Sequence, residues 1–125
     1  MIPRKRNRAK MGLRERPQIR SLRHLRFVRA RECAIRGKYV FPAEQHICRL
    51  PIQAAHIRVG TDGGGNLKPS DSFTIPLCVD AHIEQGKGER TFEKKYGLNT
   101  LKMAADLWQA DVQSRMEWER KRKCT

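Results

Sequence analysis

No stretch of this chain stays apolar for anything near the ~20 residues that a membrane-spanning helix needs. No apolar segment of signal-peptide type follows its basic start. Acidic residues are scarce: 13 Asp and Glu stand against 27 Lys and Arg, a net charge of +14 over 125 residues. Internal repeats are missing. So is the phosphate-cradling order of strand, glycine-rich loop and helix opening with Lys-Ser or Lys-Thr. The run Gly63-Gly64-Gly65 lacks that context and reads as a flexible loop. These absences argue against a spanning protein and a P-loop enzyme, and they predict a cytoplasmic location. The charge excess favours a polyanionic partner, nucleic acid ahead of an anionic membrane surface.

Cysteine is sparse as well, at Cys33, Cys48, Cys78 and Cys124. Without a secretory signal, these four are not expected to build a disulfide framework. For the first three, metal ligation and plain burial are both open. Cys124 lies in a charged tail and is expected to do neither.

The length predicts one domain with a small core, helped by a metal, plus tails. Residues 1–20 read as a basic arm, disordered or partly ordered, with Arg4, Lys5, Arg6 and Arg8 among its cations and Glu15 as its lone acid. Such an arm either solubilises the chain or neutralises phosphates. Residues 21–121 are expected to form an α+β domain. Ser21 caps a helix over Leu22 to Ala30, apolar at Leu22, Leu25 and Val28 and basic at Arg20, Arg23, Arg26 and Arg29. His24 on it reads as structural or exposed. Gln53 to Val59 and Ser72 to Leu77 read as strands joined by a loop. Asp80 is the expected N-cap of a short helix that ends at Gly86 and Gly88. Glu89 to Tyr96 forms another, stopped by Gly97. A last helix runs from Asn99 or Thr100 to about Lys121, with Leu101, Ala105, Trp108, Val112 and Met116 as its core face. A dimer contact is the alternative use of that face.

One constellation carries chemistry: a strand with His56, a glycine-rich loop, a strand ending Pro76-Leu77-Cys78, and a helix with His82. Phosphodiester hydrolysis can use a histidine on a strand to take a proton from water. It can use a divalent ion held from a helix to steady the phosphate and the leaving oxygen. The two groups must face each other across a phosphate. Singly, each histidine reads as an ordinary one; the ordered pair is what points to function.

The segments Gln53-Ala54-Ala55-His56-Ile57-Arg58, Leu67-Lys68-Pro69-Ser70-Asp71, Ile75-Pro76-Leu77-Cys78 and His82, in that order, resemble the phage and prophage HNH nucleases of the Ref type (recombination enhancement function) and their small relatives. His24-Leu25-Arg26-Phe27-Val28 and Gly88-Glu89-Arg90-Thr91-Phe92 extend the likeness over roughly residues 22–110. The resemblance implies a small ββα-metal core with flanking helices and basic terminal arms, in a bacterial or phage-infected cell. It implies an endonuclease acting on DNA, and it leaves RNA open as a partner. His56 matches the general base and His82 the metal-binding histidine of the helix. Asp71 lies near the family's orienting Asn or Asp and is the expected assisting metal ligand, with Glu84 as the alternative. Arg58, Lys68 and the arm residues Arg4, Lys5, Arg6 and Arg8 are the expected DNA contacts.

The chain also departs from the pattern. Gly86 stands where relatives often carry a second metal histidine, and Ala55 where some carry one before the base. So thin a shell suits Mg²⁺ or Mn²⁺, since Mg²⁺ keeps several waters. Arg36 and Ala81 replace the second cysteine of each zinc knuckle. Cys33, His46, Cys48 and Cys78 could still form a Cys₃His zinc site. A catalytically degenerate HNH frame that only binds nucleic acid is therefore the rival reading. A small basic RNA-binding protein of ribosomal type, which needs no general base, is a third.

Overall fold

The computed structural model describes residues 18–36, 47–63 and 68–123. Residues 1–17, which include Arg4, Lys5, Arg6 and Arg8, lie outside the described residues, as do His46 and Cys124. The class is α+β as expected: among the described residues, four helices surround one two-stranded antiparallel sheet.

Ser21 has extended backbone, and its hydroxyl accepts from the His24 N–H at 3.1 Å, so α1 (Leu22–Arg29) starts where the capping chemistry predicts. The helix buries His24, Leu25 and Val28 and leaves Leu22 exposed along with its arginines. The domain begins earlier than residue 21. The Ile19 N–H donates to Ser70 Oγ at 2.9 Å and the Asp71 N–H to the Ile19 carbonyl at 2.8 Å. Residues 18–20 therefore belong to the folded unit and not to an arm.

Strands β1 (Gln53–His56) and β2 (Thr74–Leu77) pair from Gln53 opposite Leu77 to His56 opposite Thr74. Both are shorter than the sequence suggests. The Ile57 N–H still reaches the Phe73 carbonyl, but the next two N–H groups, of Arg58 and Val59, go to the Glu89 carboxyl. On the other side the Phe73 N–H turns back to the Ser70 carbonyl. Each ladder ends because its next donor has a better-placed acceptor elsewhere.

Helix α2 (Val79–Lys87) is capped by Cys78, two residues before the expected Asp80. Asp80 falls in the first turn instead, where a negative charge suits the helix dipole, and it pairs with Arg49 at 2.8 Å. Gly86 lies within the helix, and Gly88 ends it. Helix α3 (Glu89–Tyr96) stops at Gly97, whose φ of 64° is the left-handed conformation that glycine adopts without strain. Asn99 then opens α4 (Thr100–Lys123), its side chain accepting from the Lys102 N–H at 3.1 Å.

The core gathers Ile35, Ile57, Ile75, Leu77 and Phe92, all essentially inaccessible. At about 1.5–3 kcal/mol per fully buried side chain, such a cluster is the main force holding hairpin to helices. Every residue of β2 is buried, so the second strand is covered on both faces.

The expected core face of α4 is corrected. Leu101 and Met116 are 38% and 64% exposed, and Ala105 is exposed too. The buried residues are Thr100, Ala104 and Asp111. Two of these are polar, and each has a partner that makes burial tolerable. Thr100 donates to Glu93, while Asp111 meets His24 Nδ1 at 2.7 Å and Arg115 at 3.1 Å. His24 is fully buried and packs edge-on against Trp108, so it is structural. No described helix is long and apolar enough to cross a membrane.

Candidate active site

His56 closes β1, and His82 lies one turn into α2. Because the hairpin packs on that helix, the two rings line one cleft of about 540 Å³. Arg58, Lys68, Gly86 and Glu89 line it with them. His56 and His82 thus share one cleft, with Arg58 and Lys68 also on its walls.

His56 is held from behind. Its Nε2 lies 2.9 Å from Asp71 Oδ1. A carboxylate only accepts, so Nε2 carries the proton and Nδ1 keeps the lone pair. Burial lowers the pKa of His56, and Lys68 and Arg20 push the same way, while Asp71 opposes them. The net shift is downward from 6.5, which favours the neutral ring at pH 7. Burial by itself would raise the Asp71 pKa. The hydrogen bonds from His56 and Ser21, with the charge of Arg20, outweigh it and hold the carboxyl below its usual range.

Asp71 therefore sits differently from its expected place. Its side chain is 4% exposed, and it does not line the cleft. Oδ1 serves His56, and Oδ2 accepts from the Ser21 N–H at 2.7 Å. Asp71 thus orients the His56 ring and does not stand beside His82 as an expected ligand would. Glu84, the other candidate, turns to Lys95 at 2.6 Å and Tyr96 at 2.8 Å.

His82 has a holder of its own. Its Nδ1 lies 2.7 Å from Gln53 Oε1, to which it donates, and this leaves Nε2 as the atom free to bind a metal. Burial lowers its pKa, which again favours the neutral, ligating form. Gln53 escapes sequence reasoning because glutamine carries no metal or catalytic signature. Glu89 escapes it too. As the first residue of α3 it accepts from the Arg58 and Val59 N–H groups, both at 2.8 Å. It is the only acid among the described residues that line the cleft. Each oxygen takes one N–H and keeps lone-pair capacity, so Glu89 still has acceptor capacity on the cleft that His82 also lines.

A second cluster lies in the core. The sulfurs of Cys33, Cys48 and Cys78 are all within 4.8 Å of one another. The Cys78 N–H donates to Cys33 Sγ at 3.3 Å. Burial raises the Cys78 pKa, but N–H groups of Ala81 and Arg49 point at its sulfur and bring the value below normal. Cys48 is pushed up to about 12 by burial and by the two neighbouring sulfurs. A shared cation would relieve that conflict. Tetrahedral zinc, with Zn–S near ~2.3 Å, sets sulfurs about 3.8 Å apart. Three of the four expected ligands are thus together and can hold a metal; the fourth, His46, is outside the described residues.

The family described as "Protein of unknown function (DUF968)" matches residues 10–112. The chain belongs to this family. No curated protein and no solved structure matches it. The DUF968 stretch contains both histidines, Asp71, Glu89 and the three clustered cysteines, and it stops before the basic end of α4.

Proposed function

We propose that this DUF968 chain is a metal-dependent endonuclease of the HNH class that hydrolyses phosphodiester bonds in DNA. On this reading β1, β2 and α2 form the ββα-metal frame. The observation that carries it is the shared cleft of His56 and His82, each ring fixed by a partner that leaves one nitrogen free.

His56 Nδ1 takes a proton from the attacking water, and Asp71 holds the ring and stabilises the imidazolium that forms. Arg58 and Lys68 draw the phosphate into the cleft. His82 Nε2 and Glu89 would hold Mg²⁺ or Mn²⁺. When bound, such an ion supplies charge stabilisation at the phosphate and the leaving oxygen. Cys33, Cys48 and Cys78, with His46, would hold a structural zinc. The test is supercoiled plasmid with Mg²⁺ or Mn²⁺, comparing wild type, His56→Ala and His82→Ala. Wild type is expected to nick, and His56→Ala to lose about 10²–10⁴-fold in rate. Equal nicking by wild type and His56→Ala, or none by any protein with either metal, would overturn the reading.

Gly86 favours a second reading, a frame that binds DNA without cutting it. It lies in the cleft, one helical turn after His82, and a Cβ built there meets nothing within 4 Å. Two imidazoles at this spacing share one helix face and can bind one cation. Gly86→His is expected to tighten Mn²⁺ or Zn²⁺ binding at least ~tenfold, about 1.4 kcal/mol, in titration calorimetry. The non-cutting reading holds if wild type binds DNA but does not nick it.

A further inference from the structure

We propose that the exposed face of α1 is a phosphate-binding ridge that carries the backbone of duplex DNA away from the cleft. This rests on the nuclease or DNA-binding reading above, and it adds a surface outside the lining of the cleft. Residues 20–31 contain five arginines, Arg20, Arg23, Arg26, Arg29 and Arg31, and no acid. At 100° per residue, Arg23, Arg26 and Arg29 fall within an arc of about 120°, rising ~4.5 Å at each step. All three are exposed, while His24, Leu25 and Val28 face the core.

Three other arginines of the described fold are committed to carboxylates. Arg36 pairs with Glu32, Arg49 with Asp80 and Arg115 with Asp111. Arg23, Arg26 and Arg29 make no ion pair among the described residues. Like charges three positions apart on a helix repel one another. Their repulsion is unrelieved within the described fold, and a row of phosphates would relieve it.

The row also starts at the right place. Arg20 donates to the Pro69 carbonyl at 2.6 Å and the Lys68 carbonyl at 2.9 Å, next to the cleft lysine. Ser21 donates to the carboxyl that holds His56. From there α1 extends for eight residues, about 12 Å, or three to four steps of a duplex strand at 3.4 Å each. Guanidinium groups bind phosphates well, and such contacts give affinity without sequence readout.

The test compares the full chain carrying His56→Ala, which prevents cleavage, with the same chain carrying Arg23→Gln, Arg26→Gln and Arg29→Gln. Binding to a fluorescent 20-base-pair duplex is followed by polarisation over a range of KCl concentrations. A third protein loses the same charge at the end of α4, through Arg120→Gln, Lys121→Gln and Lys123→Gln. Glutamine keeps helix propensity, and unchanged melting curves verify the fold. The ridge variant is expected to lose about 2.7 from the slope of log K against log salt, ~0.9 per phosphate contact. The α4 variant is expected to lose less. An unchanged slope in the ridge variant, or equal losses in both variants, overturns the ridge and leaves the DNA-binding reading standing. No duplex binding by the parent chain would overturn both.

Discussion

Asp71→Asn is expected to cut plasmid nicking by two to four orders of magnitude while the protein stays folded. The carboxylate accepts from His56 Nε2 and so reserves the Nδ1 lone pair for water. An asparagine can offer its NH₂ to Nε2 and select the other tautomer, which has no lone pair on Nδ1. In a hydrolase whose base is held by a carboxylate, the same exchange costs on the order of 10⁴ in rate, and general-base catalysis as a whole contributes ~10²–10⁴. The pH profile separates this role from mere packing. Burial, Lys68 and Arg20 lower the His56 pKa, and Asp71 opposes them. Removing the carboxylate lowers the value further, so the acid limb of the rate profile moves to lower pH while the plateau falls. A purely structural role would drop the plateau and leave the limb in place. Stability carries its own signature. The folded pKa of Asp71 lies below 3.8, so its contribution is present above pH 3.8 and lost as pH falls through the folded value. The stability deficit of Asp71→Asn is therefore expected at pH 7 and should shrink in acid.

The features legible in the sequence are those set by local chemistry. Ser21 before an amphipathic run, Gly97 after one, and two β-rich segments around a glycine loop each fix their element through backbone groups within a few residues. The pairing of His56 with His82 was legible because residue types in order are enough to suggest it. What escaped depends on partners distant in sequence. Asp71 reads from sequence both as near an orienting position and as a ligand beside His82, and only the fold, which brings it 2.9 Å from His56, separates the two. The buried face of α4 is not legible, because hydrophobic periodicity weighs transfer from water and cannot see a buried Asp111 satisfied by His24, 87 residues away. Glu89 carries only a helix-start signal in the sequence, and the end of the sheet ladder is what fixes its carboxyl beside the cleft. The cysteines were legible as a group, although neither knuckle keeps its second cysteine. Folding supplies Cys48 from a separate segment to stand beside Cys33 and Cys78.

Cys78→Ser, or exhaustive chelation of the wild type, is expected to remove one zinc per chain and unfold the domain. The three cysteines come from the turn after α1, the segment before β1 and the cap of α2. A metal bound there would tie the turn after α1 to the segments that lead into β1 and α2, which carry His56 and His82. Structural zinc binds zinc-finger peptides with about 10–16 kcal/mol of apparent free energy. A typical domain has only about 5–15 kcal/mol of net stability, so losing the ion would leave little or nothing. Serine makes the substitution clean, because it is itself a good N-cap and keeps the start of α2 intact. Any loss then reports the sulfur. Emission spectrometry of the purified protein reads the metal, and a thermal melt with and without chelator reads the coupling. Acid should release the ion as well, since the ligands must be thiolates and Cys48 resists ionising without a cation nearby. If the protein purifies metal-free and melts at the same temperature with and without chelator, the cysteines are core residues only. Stability would then rest on Ile35, Ile57, Ile75, Leu77 and Phe92, and the cleft would owe its shape to apolar packing alone.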